Sequence, residues 1–106
     1  MGSEEVMAKL REFVSNREWD QFHTQENLAK SISIEAAELL EVFQWGEPEN
    51  LDALKQELGD VLTYCYLLAN KIGESPETLI LEKLAITAEK YPVEKYRGSS
   101  AKYDQL

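Results

Sequence analysis

The segment SIEAAELLEVFQW, Ser33 to Trp45, decides how this chain is read. Its apolar residues recur every three to four positions, which is the period of a helix and not of a strand. On a helical wheel with Leu28 at 0°, Leu39 falls at about 20°, Ile32 at about 40° and Val42 at about 320°. Glu35 falls at about 340°, inside that stripe, and Glu38 at about 280°, on its edge. Glu41 turns outward, at about 220°. An ionised carboxylate on an apolar face is costly unless a compensating charge meets it, so the pattern asks for a partner.

The next helix downstream repeats the pattern. With Leu54 at 0°, Leu58, Val61 and Cys65 lie within about 40°, and Glu57 and Asp60 lie at about 300° and 240°. Each helix therefore carries an acid pair at i, i+3 on the border of its apolar stripe. Packed antiparallel, the two helices bring Glu35, Glu38, Glu57 and Asp60 together. Four such groups destabilise a helix interface by on the order of several kcal/mol unless a cation sits among them. Oxygen-only ligation selects a hard ion, Mg²⁺ first and Mn²⁺ second. Structural zinc fits poorly, because the chain has one Cys and one His. A di-iron bundle wants Glu-x-x-His on two helices, and His23 lies in a loop. The competing reading is a solvated acidic face, since a single Glu-x-x-Glu is common in acidic chains.

Around this centre the sequence predicts an all-α, four-helix bundle-like fold in one domain, residues 1–106. A first helix is expected from Glu4 to Arg17 with Ser3 as cap, bearing Val6, Leu10, Phe13 and Val14. An aromatic loop with Trp19, Phe22 and His23 follows. The second helix starts near Gln25 with Thr24 as cap and reaches Trp45. The third runs from Leu51 to Ile72, with Asn50 as cap and Gly73 closing it. Ser75-Pro76 restarts the chain into a fourth helix that ends near Lys90, ahead of Tyr91-Pro92. The tail from Val93 reads as polar. Short connections predict antiparallel neighbours.

The 20 acidic against 11 basic residues give a net charge of −9, which disfavours binding to polymeric nucleic acid. No run of about 18 apolar residues exists, so no membrane span is expected. The start MGSEEVMAKL is acidic where a signal peptide is basic, and a cytoplasmic location is expected. The lone Cys65 excludes an internal disulfide. A core this small is marginal without a metal or partner subunits.

The acid motif, EAAE (Glu35–Glu38), eighteen residues, then ELGD (Glu57–Asp60), resembles the ExxE…ExxD signature of MazG-like nucleoside triphosphate pyrophosphohydrolases. REWDQFH (Arg17–His23), FQW (Phe43–Trp45), ELGDVLTY (Glu57–Tyr64), EKYP (Glu89–Pro92) and RGSSAKY (Arg97–Tyr103) resemble its dCTP pyrophosphatase branch. The resemblance spans nearly the whole chain. It implies Mg²⁺-dependent cleavage of a nucleoside triphosphate to monophosphate and diphosphate, with dCTP or a related deoxynucleotide as substrate. It also implies a homo-oligomer, a tetramer as a dimer of dimers or a dimer. By position it makes Glu35, Glu38, Glu57 and Asp60 metal ligands, and Trp19, His23, Asn27, Trp45, Tyr64 and Tyr103 substrate contacts.

Triphosphate hydrolysis needs charge neutralisation and an in-line water. Glu38 is the first choice for the general base and Glu41 the second. Lys83 and Lys102 are expected to supply cations to the phosphates. A non-catalytic helical interaction module is the alternative. So is the same fold acting on dUTP or phosphoribosyl-ATP.

Overall fold

The structure, a computed structural model, describes residues 2–102. It contains α1 (Ser3–Asn16), a 3-10 turn (Asp20–Phe22), α2 (Gln25–Glu41), α3 (Asp52–Lys71), α4 (Pro76–Lys90) and a short α5 (Val93–Tyr96). No strand occurs among the described residues, and no helix among them is long and apolar enough to cross a membrane. The chain divides into two compact units, Met1–Glu74 and Ser75–Leu106.

Local chemistry sets most boundaries. The Thr24 side chain accepts from the Asn27 N–H and starts α2. The Ser75 side chain accepts from the Thr78 N–H, and Pro76 opens α4, where its missing N–H costs nothing. At the end of α3, Gly73 takes φ +76°. The Gly73 N–H returns to the Asn70 carbonyl and the Glu74 N–H to the Ala69 carbonyl. This is the Schellman closure that glycine permits.

Four boundaries differ from the sequence expectation. Gly2, not Ser3, flanks α1, and no side chain caps it. The α2 helix stops at Glu41, and turns carry the chain from Val42 to Trp45. The α3 helix begins one residue later than expected: Leu51, not Asn50, is the cap position, and the Asn50 side chain accepts from the Asp52 N–H in the turn just ahead of it. The tail, read as polar, forms α5, because Pro92 pre-sets a helical start and Gly98 (φ +76°) ends it. There Tyr96 is buried and meets Tyr91 edge-to-face, with ring centroids 4.7 Å apart.

In the first unit α2 and α3 pair along their lengths, and α1 lies against α3. Leu28 packs with Leu67, and Glu35, seven residues further along α2, meets Asp60, seven residues earlier on α3. That register makes the pair antiparallel. The core is Val14, Leu28 and Leu67, with Leu10, Tyr64 and Leu68 against it.

The buried face of α3 is broader than the one its leucine stripe predicts: Leu54, Val61 and Cys65 are half-buried as expected, but further residues join them. Leu58 stays 43% exposed, while Leu67 and Ala69 are buried. On the same wheel Tyr64, Leu67 and Leu68 lie at about 280°, 220° and 320°, the side that also holds Glu57 and Asp60. The reason is that α3 meets α1 as well as α2, so the packed face widens toward the side that holds Glu57.

Leu28 is the most enclosed residue, at 1% exposure. Leu28→Ala is expected to lower stability by about 2–5 kcal/mol, read as a fall in the urea unfolding midpoint.

Candidate functional site

The packed face of α3 carries Glu57 and Asp60, and the facing side of α2 carries Glu35. These three each offer a carboxylate oxygen, all within 4.8 Å of one another. Glu35 and Glu57 are half-buried and Asp60 is exposed. Glu38, one turn beyond Glu35, is exposed and lies outside that trio, but its charge is felt by both Glu35 and Glu57. Glu41, at the end of α2, acts on Glu57.

The cluster is strained electrostatically. A hydrogen bond shared with Glu38, then desolvation, then repulsion from Glu38, Asp60 and Glu57, push the Glu35 carboxyl up to about 7. Desolvation first, then repulsion from Glu38, Asp60 and Glu41, also raise Glu57. Glu35 Oε2 and Glu57 Oε2 are buried and have no hydrogen-bond partner. Buried carboxylate oxygens normally find a donor, so two orphans side by side mark a place built for something else. An oxygen-only donor set with orphaned atoms fits a hard divalent cation such as Mg²⁺ or Mn²⁺. Glu35, Glu57 and Asp60 would hold it, with Glu38 at hand.

Against these acids lies a cavity of about 380 Å³. Glu35 and Asp60 form its charged end, and Phe13, Trp19, Tyr64 and His23 line it with Leu10, Val14, Thr63 and Leu67. So Trp19, His23 and Tyr64 share one space with the acids, as do Phe13 and Thr63, which sequence reasoning did not assign to the site. The signal for Thr63 was available: it stands three residues after Asp60, one turn along the same helix. Phe13 was legible only as a core residue, because nothing local says that the end of α1 faces an opening.

Other expected contacts lie elsewhere. Asn27 Nδ2 donates to the Phe22 carbonyl oxygen, fastening the aromatic loop to the start of α2. Trp45 is 92% exposed at the turn after α2. Lys83 is exposed on α4, beside Leu79, Ile80, Leu84 and Thr87. Lys102 is exposed, and its carbonyl accepts from the Tyr96 hydroxyl at 3.4 Å. Tyr103 lies outside the described residues.

A second cavity, about 600 Å³, shares Val14, His23 and Leu67 with the first and is also lined by Arg11, Ser15, Asp20, Asn70 and Lys71 among others. It lacks a carboxylate cluster. Arg11 donates to Asn70 Oδ1 at 3.1 Å, and Lys71 faces Asp20 at 3.9 Å. With its cations already engaged, it is the weaker candidate.

The raised carboxyls fix the sign of the pH response. Their folded-state values lie above the ordinary 4.5, so the metal-free fold binds protons more tightly than the unfolded chain does. Metal-free stability is expected to be greatest below about pH 4.5 as far as these groups contribute, and to decline as pH rises toward about 7. Mg²⁺ should raise the thermal midpoint, and more at pH 8 than at pH 6, because the ion binds the deprotonated cluster. Glu35→Gln should raise the midpoint in EDTA and reduce the Mg²⁺ increment. Melts at the two pH values, with and without the ion, check all of these.

Residues 30–106 match the MazG-like family. The chain is 36% identical to human (Homo sapiens) dCTP pyrophosphatase 1 and 34% identical to that of Rattus norvegicus. Each alignment covers 97% of this chain but 66% of the relative, so the chain spans just under two thirds of their length. A solved pyrophosphatase structure from Archaeoglobus fulgidus superposes with a TM-score of 0.78 at 38% identity, over 84% of this chain and 91% of that one. With an all-helical fold and the ExxE and ExxD acids meeting across α2 and α3, this chain belongs to the MazG-like family.

Proposed function

We propose that this chain is a Mg²⁺-dependent nucleoside triphosphate pyrophosphohydrolase that clears deoxynucleotides, with dCTP or a close relative as substrate. One observation carries the reading: an aromatic cavity ends on a carboxylate cluster whose oxygens lack partners. Aromatic walls suit a nucleobase, and stacking contributes roughly 1–3 kcal/mol per base. The acid end suits a phosphate chain only through a bridging cation. The names of the relatives, dCTP pyrophosphatase 1 and a pyrophosphatase, support the same chemistry. The family match runs across both compact units, which supports treating residues 1–106 as one functional domain.

Mg²⁺ held by Glu35, Glu57 and Asp60, with Glu38 as a further ligand, would neutralise the phosphate oxygens. Trp19, Tyr64 and His23 hold the base, and the apolar wall of Leu10, Val14 and Leu67 excludes water around it. A water attacks the α-phosphorus, and the bond to the oxygen bridging the α- and β-phosphorus breaks. That oxygen leaves with diphosphate, and the monophosphate stays with the nucleoside. Glu38 takes the water's proton; it is exposed and close to the cluster, and Glu41 stands one turn further on. Asn27 acts indirectly by fastening the loop that carries Trp19 and His23. Trp45, Lys83, Lys102 and Tyr103 are proposed to reach the substrate from a neighbouring subunit's side of an oligomeric site.

Exposure supports the proposed oligomer. Ile34, Leu40, Ile80, Leu81 and Trp45 are all more than 60% exposed, a larger apolar surface than a small monomer leaves in water. Light scattering on the eluting protein is expected to give two or four times the 12.1 kDa chain mass. A monomer would remove this part of the proposal.

The activity is tested with a panel of dNTPs, dUTP and phosphoribosyl-ATP, with Mg²⁺ or EDTA. Diphosphate, not single phosphate, is the expected product, with the highest kcat/KM for dCTP and none in EDTA. Glu57→Gln should lower kcat by about 100-fold or more. Single-phosphate release, or no turnover of any nucleotide, overturns the reading.

A further inference from the structure

The aromatic wall of the acid-ended cavity is poorly held by packing. Phe13 and Trp19 both line it, and both are 45% exposed. Their rings meet edge-to-face, with centroids 5.7 Å apart and planes at 72°. We infer that Arg17, which does not line the cavity, is the residue that positions this wall. Its guanidinium carbon stands 3.6 Å over the Phe13 ring centroid and 5.9 Å from that of Trp19. Its Nη1 donates to the Phe13 carbonyl oxygen at 3.1 Å, which fixes the plane of the group.

The backbone places these residues but does not orient the rings. Arg17 closes α1, and Glu18 follows in the left-handed region at φ 53°. The Glu18 N–H returns to the Ser15 carbonyl and the Trp19 N–H to the Val14 carbonyl. This is a Schellman closure on a non-glycine residue, a conformation that L side chains disfavour. It sets where the Trp19 side chain begins. The rotamer is then decided by what the ring touches, and on the solvent side that is Phe13 and Arg17.

Arg17 has the right chemistry for this. In a chain with 20 acidic residues, no carboxylate lies within ion-pair distance of it among the described residues. Its charge is spent on an aromatic face, where a guanidinium both stacks and attracts the ring's negative face. A lysine ammonium has no plane to lay on Phe13 and cannot reproduce both contacts. Arg17 is therefore a positioning residue. It acts on the base through Phe13 and Trp19, and the consequence for substrate affinity rests on the function proposed above.

Two measurements separate this inference from that function. The chain has two tryptophans, so in a Trp45→Phe background Trp19 alone reports. Without nucleotide, Arg17→Ala and Arg17→Lys are each expected to raise acrylamide quenching of Trp19. In the otherwise unaltered chain, Arg17→Ala should raise KM for the preferred nucleotide about fivefold, with kcat within about twofold. Arg17→Lys should restore less than half of that loss, and the thermal midpoints should stay together. Unchanged Trp19 quenching in both variants overturns the inference. So does a fall in kcat at constant KM, or full rescue by Arg17→Lys. If the unaltered chain turns over no nucleotide, the functional reading fails, and Trp19 quenching alone decides the role of Arg17.

Discussion

The repulsion among carboxylates at the α2–α3 seam is the constraint to which the rest of the molecule answers. Glu35 and Glu57 sit on faces that must be buried for the two helices to pair, and each has a buried oxygen with no donor. Folding therefore places like charges in a poorly solvated groove, and both carboxyls respond by holding protons above their usual range, Glu35 up to about 7. A chain selected for stability alone would replace such groups by leucine. Their presence is what the proposed binding of a divalent cation at the seam would account for, at a local cost in stability.

The scaffold around that seam is economical. Two caps, Thr24 and Ser75-Pro76, and one glycine closure at Gly73 set the main helix boundaries. The antiparallel register then follows from matching Leu28 to Leu67, and it carries Glu35 to Asp60 two turns away. Because the apolar contact and the acid contact share one helix pair, a change in the register that moved the leucines would also separate the carboxylates. The core that fixes this register is small, and large apolar side chains such as Leu40 and Trp45 remain in water. That balance is in keeping with the oligomer proposed above, in which neighbours would complete the burial.

The aromatic loop between α1 and α2 joins the seam to a binding space. It turns on Glu18 in a left-handed conformation, is fastened by Asn27 to the Phe22 carbonyl, and carries Trp19 and His23 to the cavity that ends at Glu35. The aromatic residues and the carboxylates that line this cavity thus come from different segments of the chain. Strain at Glu18 and repulsion at Glu35 are both local departures from good folding, and each borders a cavity that His23 also lines.

Sequence alone determined the helical class, the capped starts at Thr24 and Ser75, the glycine stop after α3 and the acid pairs on two successive helices. These are properties of residues within one or two turns of each other, where spacing translates directly into direction. It did not determine which face of α3 is buried. The leucine stripe at Leu54, Leu58 and Val61 was the obvious choice, but Leu58 stays exposed, and contact with both α1 and α2 also turns Tyr64, Leu67 and Glu57 inward. It did not show that Phe13 and Thr63 border the acids, or that Arg17 lies flat on Phe13 rather than against a carboxylate. Those facts depend on segments tens of residues apart, and only the packed structure brings them within reach of one another.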